Sequence, residues 1–231
     1  MKFSLVEGRL LRREKRFFAY CEIPGTGEVL AHCPNPGSMR GNREPGSRVW
    51  LHDYGPGHAA QGRKLRYKWI FVESGGVKVC VDTSLANGIV ADALGKRLIP
   101  ELAGWSEVKP EARRGESRFD FLLTESDECW VEVKSVSMGE GQHGAFPDSV
   151  TERGQKHLRH LMEIRREGKR AVMLFLLMRE GGIDVRPADE IDPGYGVLLR
   201  EAVKAGVEVL VYGTRFDARG ISLGERGKLV L

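Results

Sequence analysis

Short apolar runs separated by turn signals fill the first third of the chain. Phe17–Ile23 and Val29–Cys33 flank Pro24-Gly25-Thr26-Gly27, a hairpin-like connection. Val49–His52, Trp69–Val72 and Val77–Val81 read as further strands, the last two parted by Ser74-Gly75-Gly76. Strands this short and this evenly spaced predict a small β-barrel or sandwich. The pattern changes at Ser84-Leu85-Ala86-Asn87. Ala86–Leu98 then sets Ile89, Ala93, Leu94 and Leu98 on one helical face. A domain boundary is therefore placed near Thr83–Asn87, with one domain over 1–84 and a second over 85–231.

The second domain alternates differently. Phe119–Leu123 and Cys129–Val136 are strands joined by the polar turn Thr124–Glu128. Arg153–Gly168 is a helix whose apolar stripe includes Leu158, Leu161 and Met162, and Gly168 can end it. Ala171–Met178 is apolar on both faces, which places it centrally in a covered sheet. Tyr195–Ala205 is a second helix, and Val207–Tyr212 a further strand. Strand, strand, helix, strand, helix, strand predicts an α/β domain.

Composition narrows the class. At 231 residues, 41% hydrophobic and 29% charged, the chain can bury a core and is no disordered tail. No apolar run reaches the ~20 residues a membrane span requires, and Met1–Leu11 has charges where a signal peptide has an apolar stretch. Cys21, Cys33, Cys80 and Cys129 lie far apart with no C-x-x-C pair, so a reduced, cytoplasmic protein is expected. The net charge of +4 is unevenly spread: residues 1–90 hold 14 Lys+Arg against 8 Asp+Glu, the remainder 22 against 24. A basic segment suits a polyanionic partner.

Three charged residues interrupt apolar strands: Asp120, Glu132 and Lys134. Alternation puts Glu132 and Lys134 on one face of their strand and Val131 and Val133 on the other. Asp120 is expected to point away from both Phe119 and Phe121. If the two strands pair as a hairpin, the three charges converge. Two carboxylates are hard oxygen ligands suited to Mg²⁺ or Mn²⁺, and a lysine beside them can orient water and phosphate. The order Asp…Glu-x-Lys is that of PD-(D/E)xK nucleases, although an edge strand with a solvated face has the same pattern. Glu111 is a candidate third carboxylate or a surface glutamate. Gln155 lies at the edge of the Leu158/Met162 stripe, facing the sheet or the site, or buried as a structural amide. His157 and His160 lack a metal-spaced partner, so contact with phosphate or solvent is expected.

Basic and aromatic residues interleave twice in the first domain. Arg12, Arg13, Lys15 and Arg16 precede Phe17 and Phe18, and Arg63, Lys64, Arg66, Tyr67, Lys68 and Trp69 follow in a second cluster. Such segments line grooves that bind single strands. The same pattern also describes a barrel strand whose aromatics fill the core.

Four stretches resemble one known family: His32-Cys33-Pro34-Asn35-Pro36-Gly37-Ser38-Met39, Ser117–Phe121, Val131–Val136 and Phe146–Leu158. They look like those of the sugar fermentation stimulation protein family, and the resemblance covers essentially the whole chain. It implies an N-terminal OB-fold followed by a restriction-endonuclease-like α/β domain, a mixed sheet flanked by helices. It also implies that Asp120, Glu132 and Lys134 match the nuclease-like motif, with Glu111 as a further acidic candidate; Asp120 and Glu132 are the expected ligands of Mg²⁺ or Mn²⁺, and Gln155 is expected to support the site from the helix. Pro36 replaces the Thr most members carry, and Phe119 stands where the motif has Pro. The expected partner is nucleic acid, DNA foremost, held by Arg12, Arg13, Arg16, Arg63, Lys64, Arg66, Tyr67 and Lys68. The founding member is described as a DNA-binding protein linked to maltose metabolism. Two functions follow as expectations: metal-dependent phosphodiester hydrolysis, or regulation of sugar-metabolism genes by DNA binding with an inactive site.

Overall fold

The computed structural model describes residues 2–217 and 220–231. Strands β1 (Leu5–Glu14), β2 (Phe18–Ile23), β3 (Gly27–His32), β4 (Arg48–Asp53) and β5 (Tyr67–Ser74) close into a barrel. β1 pairs antiparallel with β2 and β4, β2 with β3, and β4 with β5. Parallel pairing of β3 with β5, at Ala31–Tyr67 and His32–Lys68, completes the ring. This is the closed five-stranded barrel of an OB-fold. Its interior is filled by alternate residues of these strands, among them Leu10, Cys21, Leu51 and Trp69. β1 has no counterpart among the strands expected from the sequence. Only Gly8 and Leu10 of its ten residues are fully buried, and a register shift between Leu10 and Arg12 breaks its alternation.

β6 (Val77–Cys80) forms a hairpin with β5 and also meets the second domain. There the chain runs through α1 (Leu85–Gly95), β7 (Glu107–Arg114), β8 (Ser117–Thr124), β9 (Glu128–Val136), β10 (Gly139–Glu140), β11 (His143–Phe146), α2 (Glu152–Arg166), β12 (Arg170–Glu180), β13 (Asp184–Pro187), α3 (Pro193–Lys204), β14 (Glu208–Phe216), β15 (Ile221–Arg226) and β16 (Lys228–Leu229). The main sheet runs β7-β8-β9-β12-β14-β15, with β9, β12 and β14 parallel and the outer pairs antiparallel. β12 is central, with nine of its eleven residues buried in one uninterrupted run, as its unbroken apolar sequence requires. Where β9 ends, opposite Leu177, β6 takes its place beside β12 at Arg179. A second small sheet holds β10, β11, β13 and β16.

The sheet separates two cores. On one side α1 packs with Leu123, Val131 and Val133, and the outer face of the barrel contributes Ile70 and Phe71. On the other, α2 and α3 cover Trp130, Met173 and Phe175. Thr151 caps α2 by accepting from Gly154 N at 3.0 Å, and Asp192 caps α3 by accepting from Tyr195 N at 2.9 Å. Gly168, at φ +83°, follows α2 as its sequence predicts. No helix among the described residues is long and apolar enough to cross a membrane. All four cysteines are buried and free.

Polar contacts fasten the barrel to the second domain. Ser38 Oγ donates to Asp148 O at 2.7 Å and Asn42 Nδ2 to Ser137 O at 2.9 Å. Arg179 is fully buried, and its guanidinium donates to Gly141 O (2.8 Å), Ser137 O (3.0 Å) and Ser74 O (3.4 Å). No carboxylate pairs with it among the described residues.

Candidate active site and nucleic-acid groove

The β8–β9 hairpin brings Asp120, Glu132 and Lys134 together. Its register runs from Thr124–Glu128 to Phe121–Val131 and then stops. Beyond that point Asp120 takes over the pairing with its side chain: Oδ2 accepts from Val133 N at 2.7 Å, and Oδ1 accepts from Asn87 Nδ2 of α1 at 2.6 Å. The strand kinks here, which corrects the expected alternation. Phe119 packs on the α2 side against Trp130 and His157, while Phe121 enters the α1-side core. Asp120 therefore does not point away from both rings; it occupies the break between them.

Glu132 and Lys134 do share a face, as expected, and that face is covered by α2. Glu132 is buried; its Oε1 accepts from Lys134 Nζ at 2.6 Å and is hydrogen-bonded to His157 Nδ1. Its Oε2 is also buried and has no partner among the described residues. The two carboxyls titrate in opposite directions. Burial, then the nearby Glu132 charge, raises Asp120 above the ordinary aspartate range. Burial also pushes Glu132 up, but the His157 hydrogen bond and the Lys134 charge outweigh it and hold Glu132 below its ordinary value.

His157 is the site residue that the sequence reading misses. It is buried rather than in contact with solvent. At ~100° per residue it shares a helical face with Leu161 and Ile164, so the same arithmetic that places Gln155 could have found it. Gln155 goes elsewhere: its Nε2 donates to Asp192 Oδ1 at 3.0 Å, and Asp192 also accepts from Thr151 N at 2.9 Å, so this amide joins the starts of α2 and α3. Glu111 falls between the pairs Pro110–Phe121 and Ala112–Phe119, hence opposite Asp120 in register. It is exposed, has φ +51°, and lies 3.6 Å from Arg118.

The basic residues of the barrel divide into two groups. Arg13 donates to the carbonyls of Arg16, Asn35, Gly37 and Ser38 and so holds a loop. Arg12 lies 3.6 Å over the Tyr20 ring and pairs with Glu14 and Glu28. Arg66 makes a fork on Asp53, with both contacts at 2.7 Å. Lys68 pairs with the buried Asp82, and the Tyr67 ring is largely buried. Arg16, Arg63 and Lys64 have no carboxylate partner among the described residues. Arg63 lies 4.6 Å over the Tyr54 ring. With Lys64, His32, Tyr54 and the exposed rings of Phe17 and Phe18 it lines a groove of about 400 Å³.

Comparison with known proteins places the chain. Residues 84–220 match the sugar fermentation stimulation protein RE domain, and residues 11–81 the SfsA N-terminal OB domain. The chain belongs to the sugar fermentation stimulation protein family. A sugar fermentation stimulation protein homolog of Geobacter metallireducens is 46% identical, covering 98% of this chain and 97% of the relative. One from Thioalkalivibrio sulfidiphilus is 47% identical, covering 95% and 93%. The solved structure of Pyrococcus furiosus SfsA in complex with Ca²⁺ superposes with a TM-score of 0.88 at 31% identity, covering 100% of this chain and 98% of that one.

The family motif implies a divalent cation, and the residues present fit one. Glu132 Oε2 is a buried, unpartnered hard oxygen, and the raised Asp120 carboxyl beside it would be relieved by a cation. Among the described residues no group of three His, Cys, Asp or Glu side chains is assembled for a metal. Such an ion would therefore be held by two carboxylates and keep most of its waters, the habit of Mg²⁺.

Proposed function

We propose that the protein binds a nucleic-acid strand along the barrel groove and hydrolyses phosphodiesters at Asp120, Glu132 and Lys134. The observation that carries this is the unpartnered Glu132 Oε2, buried beside a second carboxylate and a lysine. A core carboxylate oxygen left without a donor costs stability, and a cation explains its retention. The family likeness to a protein whose structure was solved with Ca²⁺ supports the same reading.

Each residue then has a task. His157 and Lys134 both engage Glu132 Oε1, which leaves Oε2 free for the cation. Asp120 is aimed by Val133 N–H and Asn87. Asp120 and Glu132 would hold the cation, which when bound would supply charge stabilisation to the phosphate and lower the pKa of a water. Lys134, nearly covered at 13% side-chain exposure, presents an ammonium to phosphate in a site where little water screens it. The exposed rings of Phe17 and Phe18 offer stacking surfaces that tolerate any base, and Arg16, Arg63 and Lys64 offer charge to the backbone.

The test is incubation of purified protein with labelled single- and double-stranded DNA and RNA, in Mg²⁺, Mn²⁺ or chelator. Metal-dependent cutting that Asp120→Ala abolishes, with binding retained, supports the proposal. Binding without cutting under every condition overturns the hydrolytic half and leaves the DNA-binding regulator.

A further inference from the structure

Between the two domains lies a cavity of about 320 Å³, within the ~300–1,000 Å³ range of small-molecule sites. It sits at the carboxyl end of β9, where α/β sheets take ligands. Its roof is the barrel loop Asn35–Gly37, its floor Ser135, and its wall the segment Phe146–Asp148 that leads to α2.

Three features point to a ligand. The roof is held rigidly: Arg13 donates to Asn35 O at 2.7 Å, Asn35 Nδ2 donates to Val81 O at 3.0 Å, and Met39 N donates to Asp148 Oδ2 at 3.1 Å. Glycine is required at position 37, since a side chain there would run into the pinned Asp148 carboxylate. The Ser135 hydroxyl on the floor is buried and has no partner among the described residues. The lining combines prolines and a phenylalanine with hydroxyls and an amide, contains no Lys or Arg, and has Asp148 as its one charged side chain. That chemistry disfavours an anion and suits a flat, neutral ring with a hydrogen-bonding edge.

Position decides which ring. The roof loop leaves β3 just after His32, a wall of the aromatic groove. The floor residue follows Lys134. Along α2, Thr151 lines the cavity and His157 touches Glu132, a separation of about 9 Å at ~1.5 Å per residue. We propose that the cavity receives a single unstacked nucleobase of the strand whose phosphate lies at Asp120, Glu132 and Lys134. This rests on the nucleic-acid reading above and adds that one base is drawn out of the stack.

The experiment uses the full chain in chelator, so that nothing is cut. A short single-stranded oligonucleotide carries 2-aminopurine at each position in turn; anisotropy reports binding and 2-aminopurine intensity reports unstacking. One position should brighten several-fold, and removing that base to leave an abasic site should weaken binding by about tenfold, in line with the loss of one base contact. Ser135→Leu, which fills the floor, should suppress the brightening while the groove still binds. Uniform intensity at all positions, or an abasic strand that binds as well as the intact one, overturns the inference. The abasic arm uses unaltered protein and so decides even if Ser135→Leu fails to fold. Absence of any strand binding would instead overturn the nucleic-acid reading itself, and strand binding without brightening would leave that reading intact and remove this one.

Discussion

Glu132→Gln tests the electrostatics of the site without any substrate. In the folded protein this carboxylate is buried and balances Lys134, whose side chain is 13% exposed. Glutamine keeps the shape and removes the charge. The Lys134 ammonium is then left nearly buried beside His157, with only the more distant charge of Asp120 to balance it. Breaking a fully buried pair costs about 3–5 kcal/mol, and the partial exposure of Lys134 reduces this to about 3 kcal/mol. For a chain of this size that corresponds to a fall in melting temperature of about 6–12 °C. The assay is thermal unfolding followed by circular dichroism, in chelator so that no bound cation contributes.

The pH dependence sharpens the test. Glu132 has its folded value held below the unfolded one, so the unfolded state binds more protons between the two values. The stability this carboxylate contributes is present above its unfolded value and is lost as pH falls through its folded value. Glutamine has no such loss. The gap between wild type and variant should therefore be widest at neutral pH and close in acid. Equal melting temperatures at neutral pH, or a gap that widens on acidification, would refute the account of Glu132 as a charge held down by its partners.

Asp120→Asn should behave oppositely, because the folded state raises its value by burial and by Glu132. Relief of that repulsion offsets a weakened hydrogen bond, and stability should stay within about 1 kcal/mol of wild type while calorimetric Mn²⁺ binding is lost. Arg179→Met removes three donors, to Ser137 O and Gly141 O within the second domain and to Ser74 O of the barrel; it should cost about 2–4 kcal/mol even after the relief of burying a charge, read by denaturant unfolding. The paired change Arg63→Glu with Lys64→Glu should weaken single-strand binding and reduce the slope of log affinity against log salt by about 1–2, with melting temperature unchanged because neither residue has a partner in the core. Phe17→Ala with Phe18→Ala should lower affinity by about tenfold or more at every salt concentration, since stacking is not screened.

Periodicity along the chain determined the elements whose burial is complete on one or both faces. β12 is apolar throughout, α2 has its stripe and terminal glycine, and the β8–β9 hairpin shows its polar turn; each is a local pattern that burial imposes on any chain. The pairing of Glu132 with Lys134 on one face follows from the same two-residue period. β1 escaped because only two of its ten residues are buried, and β7 because it forms a sheet edge with seven of its eight residues outside the core. An exposed strand has no apolar alternation to read.

The rest was decided by contacts between residues far apart in sequence. Closure of the barrel depends on β3 meeting β5, which no window of sequence encodes. Asp120 is aimed by a kink, where a side chain replaces a strand partner for Val133 N–H. Arg13, Arg66 and Lys68 look in sequence like free cations, yet the fold engages them with a loop, Asp53 and Asp82. His157 joins the site because α2 lies across β9. Composition sets how many charges a chain carries, but only the tertiary structure decides which of them are neutralised internally and which remain to meet a ligand.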